Sequence, residues 1–331
     1  MINLNKMINE NQKFSELQKA ILETLAFFDI FNYPLTSVEI YKWLHLKPNQ
    51  TQTVFSLADV IFALNGDWPN QVIASQSGFY FLANRQQIVK TRLDRYQIAE
   101  KKMKIALSTI KHLRHLAFIK TIAICNTVGY NNASPSSDID FFIIIKTGRL
   151  WWSRLIITLL VGFLGIRRHD KKIADRVCLS FYITDSHLDL ADIALPSSDI
   201  YLNYWLATLA PVYDDGTYQK FLAANQKFFN FLPNFYSAIM SSRRFVSNNW
   251  LTDFSKKTDE LFFSGFFGDF LEKFAKTIEL KKMKKRSFSS GGPTDTEVVI
   301  NDTMLKFHEN DRRQEYQSLW QKRLNDLNIS N

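Results

Sequence analysis

The stretch from Asp138 to Ile145 constrains this chain more than any other. Two carboxylates separated by one residue open the uncharged run Phe141-Phe142-Ile143-Ile144-Ile145. Side chains alternate across a strand, so Asp138 and Asp140 share one face while Ile139 points to the other. The run behind them is apolar on both faces, the pattern of a strand covered on both sides. The carboxylates therefore lie at the edge where this strand enters the core. Side by side they repel, and a divalent cation relieves the repulsion. Oxygen donors suit magnesium or manganese, which keep part of their shell for water and substrate phosphates. The preceding segment, Asn126-Thr127-Val128-Gly129-Tyr130-Asn131-Asn132-Ala133-Ser134-Pro135-Ser136-Ser137, is small and polar. Such a loop lets backbone N–H groups approach an anion, and Thr127 adds a hydroxyl.

The flanking pattern predicts strands over Phe118–Cys125, Asp138–Lys146 and Arg176–Thr184, with a helix over Arg149–Gly165. Strands joined by a polar loop, then a helix and another strand, give a small α/β unit, placed at residues 96–195. Cys125 and Cys178 fall within the apolar strands and read as buried free thiols. No Cys/His cluster has zinc spacing.

These residues resemble the polymerase-beta-type nucleotidyltransferase superfamily. Its members carry Gly-Ser at the end of a first strand, a short loop, then Asp-x-Asp on a second strand and a third acid on a later one. Ser137-Asp138-Ile139-Asp140 matches the Asp-x-Asp element, and Asn126-Thr127 falls where the family has Gly-Ser. The resemblance implies catalytic, metal-holding roles for Asp138 and Asp140, and nucleotide contacts from Asn126, Thr127, Gly129 and Ser137. It implies a magnesium or manganese cofactor and a nucleoside triphosphate substrate. The acceptor is left open between protein, RNA and a small molecule. Two positions depart from the pattern. Asn126 replaces a glycine, and the strand Arg176–Thr184 contains no acid, leaving Asp185 just beyond it as the candidate third ligand.

Ahead of this unit, residues 15–95 predict three helices and a hairpin. Leu17, Ile21, Leu22, Leu25 and Phe28 have helical spacing. Thr36-Ser37-Val38-Glu39 reads as a capping box, after which a loop with Pro48 and Asn49 leads to a third helix over Thr53–Leu64. Val72-Ile73-Ala74 and Phe79-Tyr80-Phe81-Leu82 flank a turn at Gln76-Ser77-Gly78. This order is similar to a winged helix. The third helix of that fold commonly enters the major groove, yet no Lys or Arg occurs between Thr51 and Leu64. Protein docking is therefore favoured over nucleic-acid contact. A winged helix before such a core resembles a bacterial group within the superfamily. The basic stretch Arg85–Leu116 reads as a linking helix whose Lys90, Arg92, Arg95, Lys101, Lys102 and Lys104 form a solvated face.

Residues 196–331 read as mainly helical: Ile200–Leu209, Tyr218–Phe231, Leu261–Phe274 and Asp302–Leu324, with a Ser/Gly/Pro linker at about 287–297. Phe262, Phe266, Phe270 and Phe274 recur every four residues, which predicts a helix packed on the core. With Lys281, Lys282, Lys284, Lys285 and Arg286 behind it, a membrane-surface helix is the alternative. Arg167, Arg168, His169, Lys171 and Lys172, after the core helix, are candidates to bind nucleotide phosphates or an acidic acceptor, the alternative being the cations any helix C-terminus favours. Lys306, His308, Arg312 and Arg313 form a basic cluster that either reaches over the cleft or is a solvated face.

The chain has 331 residues, 46% hydrophobic and 22% charged, enough for two or three domains with real cores. Its net charge of +9 favours polyanionic partners. The opening segment Met1–Lys13 is polar and lacks an apolar signal core. The longest uncharged apolar run, Leu155–Ile166, is too short for a bilayer, so no membrane span and a cytoplasmic location are expected. The expected fold is α+β: a small mixed-sheet nucleotidyltransferase core, an N-terminal winged helix and a C-terminal helical region. The expected activity is metal-dependent nucleotidyl transfer. The alternatives are an inactive nucleotidyltransferase-like binding protein, nucleotide- or partner-binding, and a winged-helix DNA-binding regulator.

Overall fold

The computed structural model describes residues 14–47, 55–68, 71–169, 172–196, 199–237, 240–285, 297–307 and 311–329. The opening polar segment, the Pro48-Asn49 loop, the 287–296 linker, Lys171, Arg286 and His308 lie outside them. The fold is mixed α+β, with a two-stranded sheet and a six-stranded sheet.

The chain begins with α1 (Glu16–Asp29), α2 (Ser37–Lys42) and α3 (Leu57–Asn65). Each starts at a hydroxyl residue, Ser15, Thr36 and Ser56, in a reciprocal capping box with Gln18, Glu39 and Asp59. These boxes satisfy N–H groups that a helix start otherwise leaves open. The hairpin follows as β1 (Ile73–Gln76) and β2 (Phe79–Leu82). Ser77 and Gly78 take positive φ at its turn.

Helix α4 (Gln87–Leu113) then leads into the large sheet. Its charges are not simply a solvated face. Arg85, just before it, binds Asp29 and Asn32, Arg92 binds Glu39 and Pro34 O, and Arg95 binds Phe31 O and Asn132. Lys102 is buried. Lys90 is exposed, beside Asp94.

The remaining elements are β3 (Ile119–Ile124), α5 (Asn126–Gly129), β4 (Ile139–Ile145), α6 (Leu150–Phe163), β5 (Val177–Thr184), α7 (Ile200–Ala207), β6 (Ala210–Asp214), α8 (Thr217–Ala224), α9 (Gln226–Phe229), α10 (Trp250–Phe262), α11 (Phe266–Lys285), β7 (Val298–Ile300), β8 (Met304–Phe307) and α12 (Arg313–Asp326). Strand order in the large sheet is β6-β3-β4-β5-β8-β7. Only the central β4–β5 pair is parallel.

Alternation along β4 sorts its side chains between two cores. Phe142 and Ile144 join Phe181, Trp205, Phe221, Trp320 and the inner face of α1. Phe141, Ile143 and Ile145 join Met103, Ile110, Trp151, Ile157 and Tyr182 on the other side. The first core runs without a break from α1–α3 through the sheet to α12. There Trp320 donates Nε1–H to Glu23 O, and Arg323 binds Asp29.

Three expectations for the C-terminal half are corrected. Ala210–Asp214 is an unforeseen edge strand; Pro211 is compatible with an edge, where a missing N–H is tolerated. The proposed helix over Asp302–Leu324 begins only at Arg313, because Met304–Lys306 pair with β5 and Phe307 with β7. The Phe-rich segment is two helices meeting at Phe263–Gly265, and Phe266, Phe270 and Phe274 face solvent. Among the described residues, no helix is long and apolar enough to cross a membrane.

Candidate functional site

Asp138 and Asp140 lie at the head of β4, on the face that carries Phe142. Because β4 and β5 run parallel, Asp140 stands beside Cys178. One carboxylate oxygen from each Asp and the Cys178 sulfur lie within 4.8 Å of one another. Asn126 Nδ2 donates to Asp140 Oδ2 at 2.9 Å. Trp205 Nε1 and Tyr201 Oη in turn donate to Asn126 Oδ1, at 3.1 and 3.4 Å. Asn126 thus takes its orientation from α7 and passes it to the acid.

The backbone explains why asparagine serves here. Asn126 has φ +54°, the left-handed region that glycine adopts freely and asparagine best among the others. The next tight point is Gly129. A Cβ there would stand 2.7 Å from Ile124 O and 3.1 Å from Thr208 O. Gly129 therefore lets α5 press on the ends of β3 and α7.

The loop before Asp138 is held by a buried cation. Lys102 donates to Ser137 O at 2.8 Å, Pro135 O at 3.3 Å and Asp175 Oδ1 at 2.5 Å. Ser137 Oγ accepts from Ser134 N and lies 3.5 Å from Thr127 Oγ1. Thr127, Gly129 and Ser137 shape this loop and do not line the cleft in front of the acids.

That cleft has a volume of about 640 Å³. Arg154, Arg167, Arg168, Lys306, Arg312 and Arg313 line it, together with His169 and the aromatic residues Tyr201, Trp205 and Tyr316. Arg168 reaches Asp138 Oδ2 at 2.6 Å. Its backbone N–H donates to Val177 O, and Val177 N–H donates to Ile166 O, so the segment after α6 runs along the start of β5. The other cations are partly committed inside the protein. Arg154 pairs with Glu279, Arg312 with Glu315, and Arg313 with Asp199 and Asp311. Burial, then the neighbouring charge of Arg313, lowers Lys306 to about 8.

Burial raises the Asp140 carboxyl to about 6, and the charge of Asp138 adds to this. The Asn126 hydrogen bond opposes both. Burial, then Asp140 and Asp138, push the Cys178 thiol up to about 12. The sulfur stays protonated in that setting and is a poor metal ligand. Two clustered carboxylates, one disfavoured by burial and by its neighbour's charge, are oxygen donors that could hold a divalent cation.

Asp185 is placed elsewhere. It follows Thr184, which pairs with Ile145 at the opposite end of the sheet from the Asp140–Cys178 pair. There its Oδ1 accepts from Thr147 N and Oγ1 at 2.8 and 2.6 Å. Cys125 and Cys178 are both free and buried. Sequence pattern gives no site role to Cys178, Trp205 or Lys102. Only the parallel register of β4 and β5 brings Cys178 to the acids. No family model matches the chain, and no curated protein or solved structure matches it either.

Proposed function

We propose that this protein is a metal-dependent nucleotidyltransferase of the polymerase-beta type, moving a nucleoside monophosphate from a nucleoside triphosphate to an acceptor. One observation carries the reading: Asp138 and Asp140 converge at the floor of a cation-lined cleft. An antiparallel β3–β4 pair joined by a polar loop, with β5 parallel beyond it, supports the resemblance. So does the positive φ of Asn126, which makes the exchange of glycine for asparagine conservative in backbone terms.

Asp138 and Asp140 would hold magnesium or manganese, completed by water and substrate phosphate. When bound, such an ion supplies charge stabilisation at the phosphoryl oxygens. The chain's own residues orient and neutralise. Asn126 fixes the Asp140 carboxylate. Arg168 sits where it can exchange Asp138 for a phosphate oxygen, and Lys102 sets the height of the loop. Catalysis of this kind is mostly positioning and electrostatics. The acceptor class stays open between protein, RNA and a small molecule.

A second reading is a protein that binds nucleotide without transferring it. The position of Asp185 and the neutral Cys178 beside Asp140 favour it. DNA regulation is disfavoured. The three helices and hairpin support a winged-helix reading of residues 15–95, but α3 has no Lys or Arg and Arg85, Arg92 and Arg95 bind within the chain. A winged helix that docks a protein fits better.

The test is calorimetry with each nucleoside triphosphate, with and without magnesium or manganese, followed by transfer of label from the bound nucleotide. Wild type should bind in a metal-dependent way. Asp138→Ala/Asp140→Ala should lose that dependence and lower any transfer by roughly a thousandfold. Metal-dependent binding without transfer to protein, RNA or small-molecule acceptors would favour the second reading. Equal turnover in the double variant would remove the assignment.

A further inference from the structure

The corrected Phe-rich segment presents a surface that the cleft does not use. Trp250, Phe254, Leu261 and Phe262 on α10, and Phe266, Phe267, Phe270 and Phe274 on α11, are all exposed, Phe266 by 90%. Isolated exposed apolar residues are ordinary, but here Phe262 and Phe267 touch, ring centroids 5.7 Å apart, and join the exposed residues of the two helices at the turn between them.

Helical geometry shows what shares that face. At about 100° per residue, Phe266, Phe270, Phe274 and Phe267 fall in one stripe of α11 with Lys273, Thr277, Lys281 and Lys284, and no acid. On α10 the corresponding stripe holds Trp250, Phe254, Lys257, Thr258 and Leu261, again without an acid. Of the nearby carboxylates, Glu260, Glu272 and Glu279 turn inward, while Asp253, Asp259 and Asp269 are exposed outside the two stripes. Glu260 accepts from Phe118 N, Glu272 from Trp151 N and Trp152 N, and Glu279 pairs with Arg154. Asp269 pairs with Arg149. Lys257, Lys273, Lys281 and Lys284 are exposed.

We propose that α10 and α11 form a docking face for an anionic lipid surface, lying in the interface without crossing it. Aromatic and leucine side chains on a helix face bordered by lysines fit the boundary between headgroups and acyl chains. The lysines match anionic headgroups. The same charges argue against a second copy as occupant, since an isologous contact would set lysine-bearing stripes against each other. This inference stands apart from the nucleotidyltransferase reading.

The experiment is vesicle flotation of the full chain with phosphatidylcholine alone and with an equal mixture of phosphatidylcholine and phosphatidylglycerol. Wild type should float with the mixed vesicles and much less with phosphatidylcholine. Phe266→Ser/Phe270→Ser/Phe274→Ser should reduce flotation by on the order of tenfold, and Lys273→Glu/Lys281→Glu/Lys284→Glu should abolish the preference for the mixture. All six positions are exposed, so thermal melts of both variants should match wild type. Failure of wild type to float with the mixed vesicles overturns the proposal. A wild-type dimer in light scattering that the Phe variant splits, with no flotation, overturns it in favour of self-association.

Discussion

Asp140 is placed where its charge is disfavoured. Burial, and then Asp138, raises its carboxyl to about 6, above the value near 4 of an unfolded chain. Between those values the folded protein holds a proton that the unfolded chain releases. This group's contribution therefore falls as pH rises, and the full penalty applies above about 6. Asp140→Asn should stabilise the metal-free protein at pH 7 by about 1 kcal/mol, after allowance for the open cleft. The gain should largely vanish near pH 4. Urea midpoints at the two pH values check this, and an equal gain at both would contradict it. Manganese at pH 7 should narrow the gap, because it stabilises only the chain that binds it. The spacing of Asp138 and Asp140 was legible because strand alternation is local. Cys178 beside the acids was not, and Arg168 was legible only as one of a basic run, since their arrival depends on which way β5 runs and on a segment pairing beyond α6.

At the scale of elements, one lysine decides how the loop between β3 and β4 is held. Lys102 projects from α4 into three acceptors on the Pro135–Ser137 segment and Asp175. Sequence pattern treats a lysine on a charged helix as solvated, and it cannot see the loop folding back over that face. Lys102→Met keeps the length and removes the charge, and its acceptors, exposed Pro135 O and Asp175 and half-buried Ser137 O, turn to water. A loss of about 1 kcal/mol is expected, since solvent screens the exposed partner. If the loop sets Asp138, metal affinity should fall further than in a variant of equal stability loss elsewhere. Calorimetry at a temperature where both are folded separates these, and unchanged metal affinity would leave Lys102 as a purely structural residue. The Phe stripe makes the same point about elements. Its spacing identified a helix face, but not that the opposite face, with Ala275, Glu279 and Met283, is the buried one.

Across the whole molecule, residue 95 falls inside α4 (Gln87–Leu113), and one apolar core crosses the expected divisions at both 95 and 195. Residues of α1, β4, β5, α7 and α12 belong to one cluster. Trp320 is its outer clasp: 4% exposed, bonded to Glu23 O, and edge-on to His45 at 5.3 Å. A reading that segments the chain by local periodicity cannot detect a contact between its two ends, which is why α12 looked like a closing helix and nothing more. Trp320→Ala should cost about 3–5 kcal/mol by cavity formation. Because the same cluster carries Phe142 and Trp205, and Trp205 holds Asn126, the loss should reach the acids as well as α1. Calorimetry should then show one transition, moved to lower temperature, with near-ultraviolet dichroism following it. A first transition confined to residues 15–95, with the sheet melting where it does in wild type, would instead make the N-terminal helices an independent module.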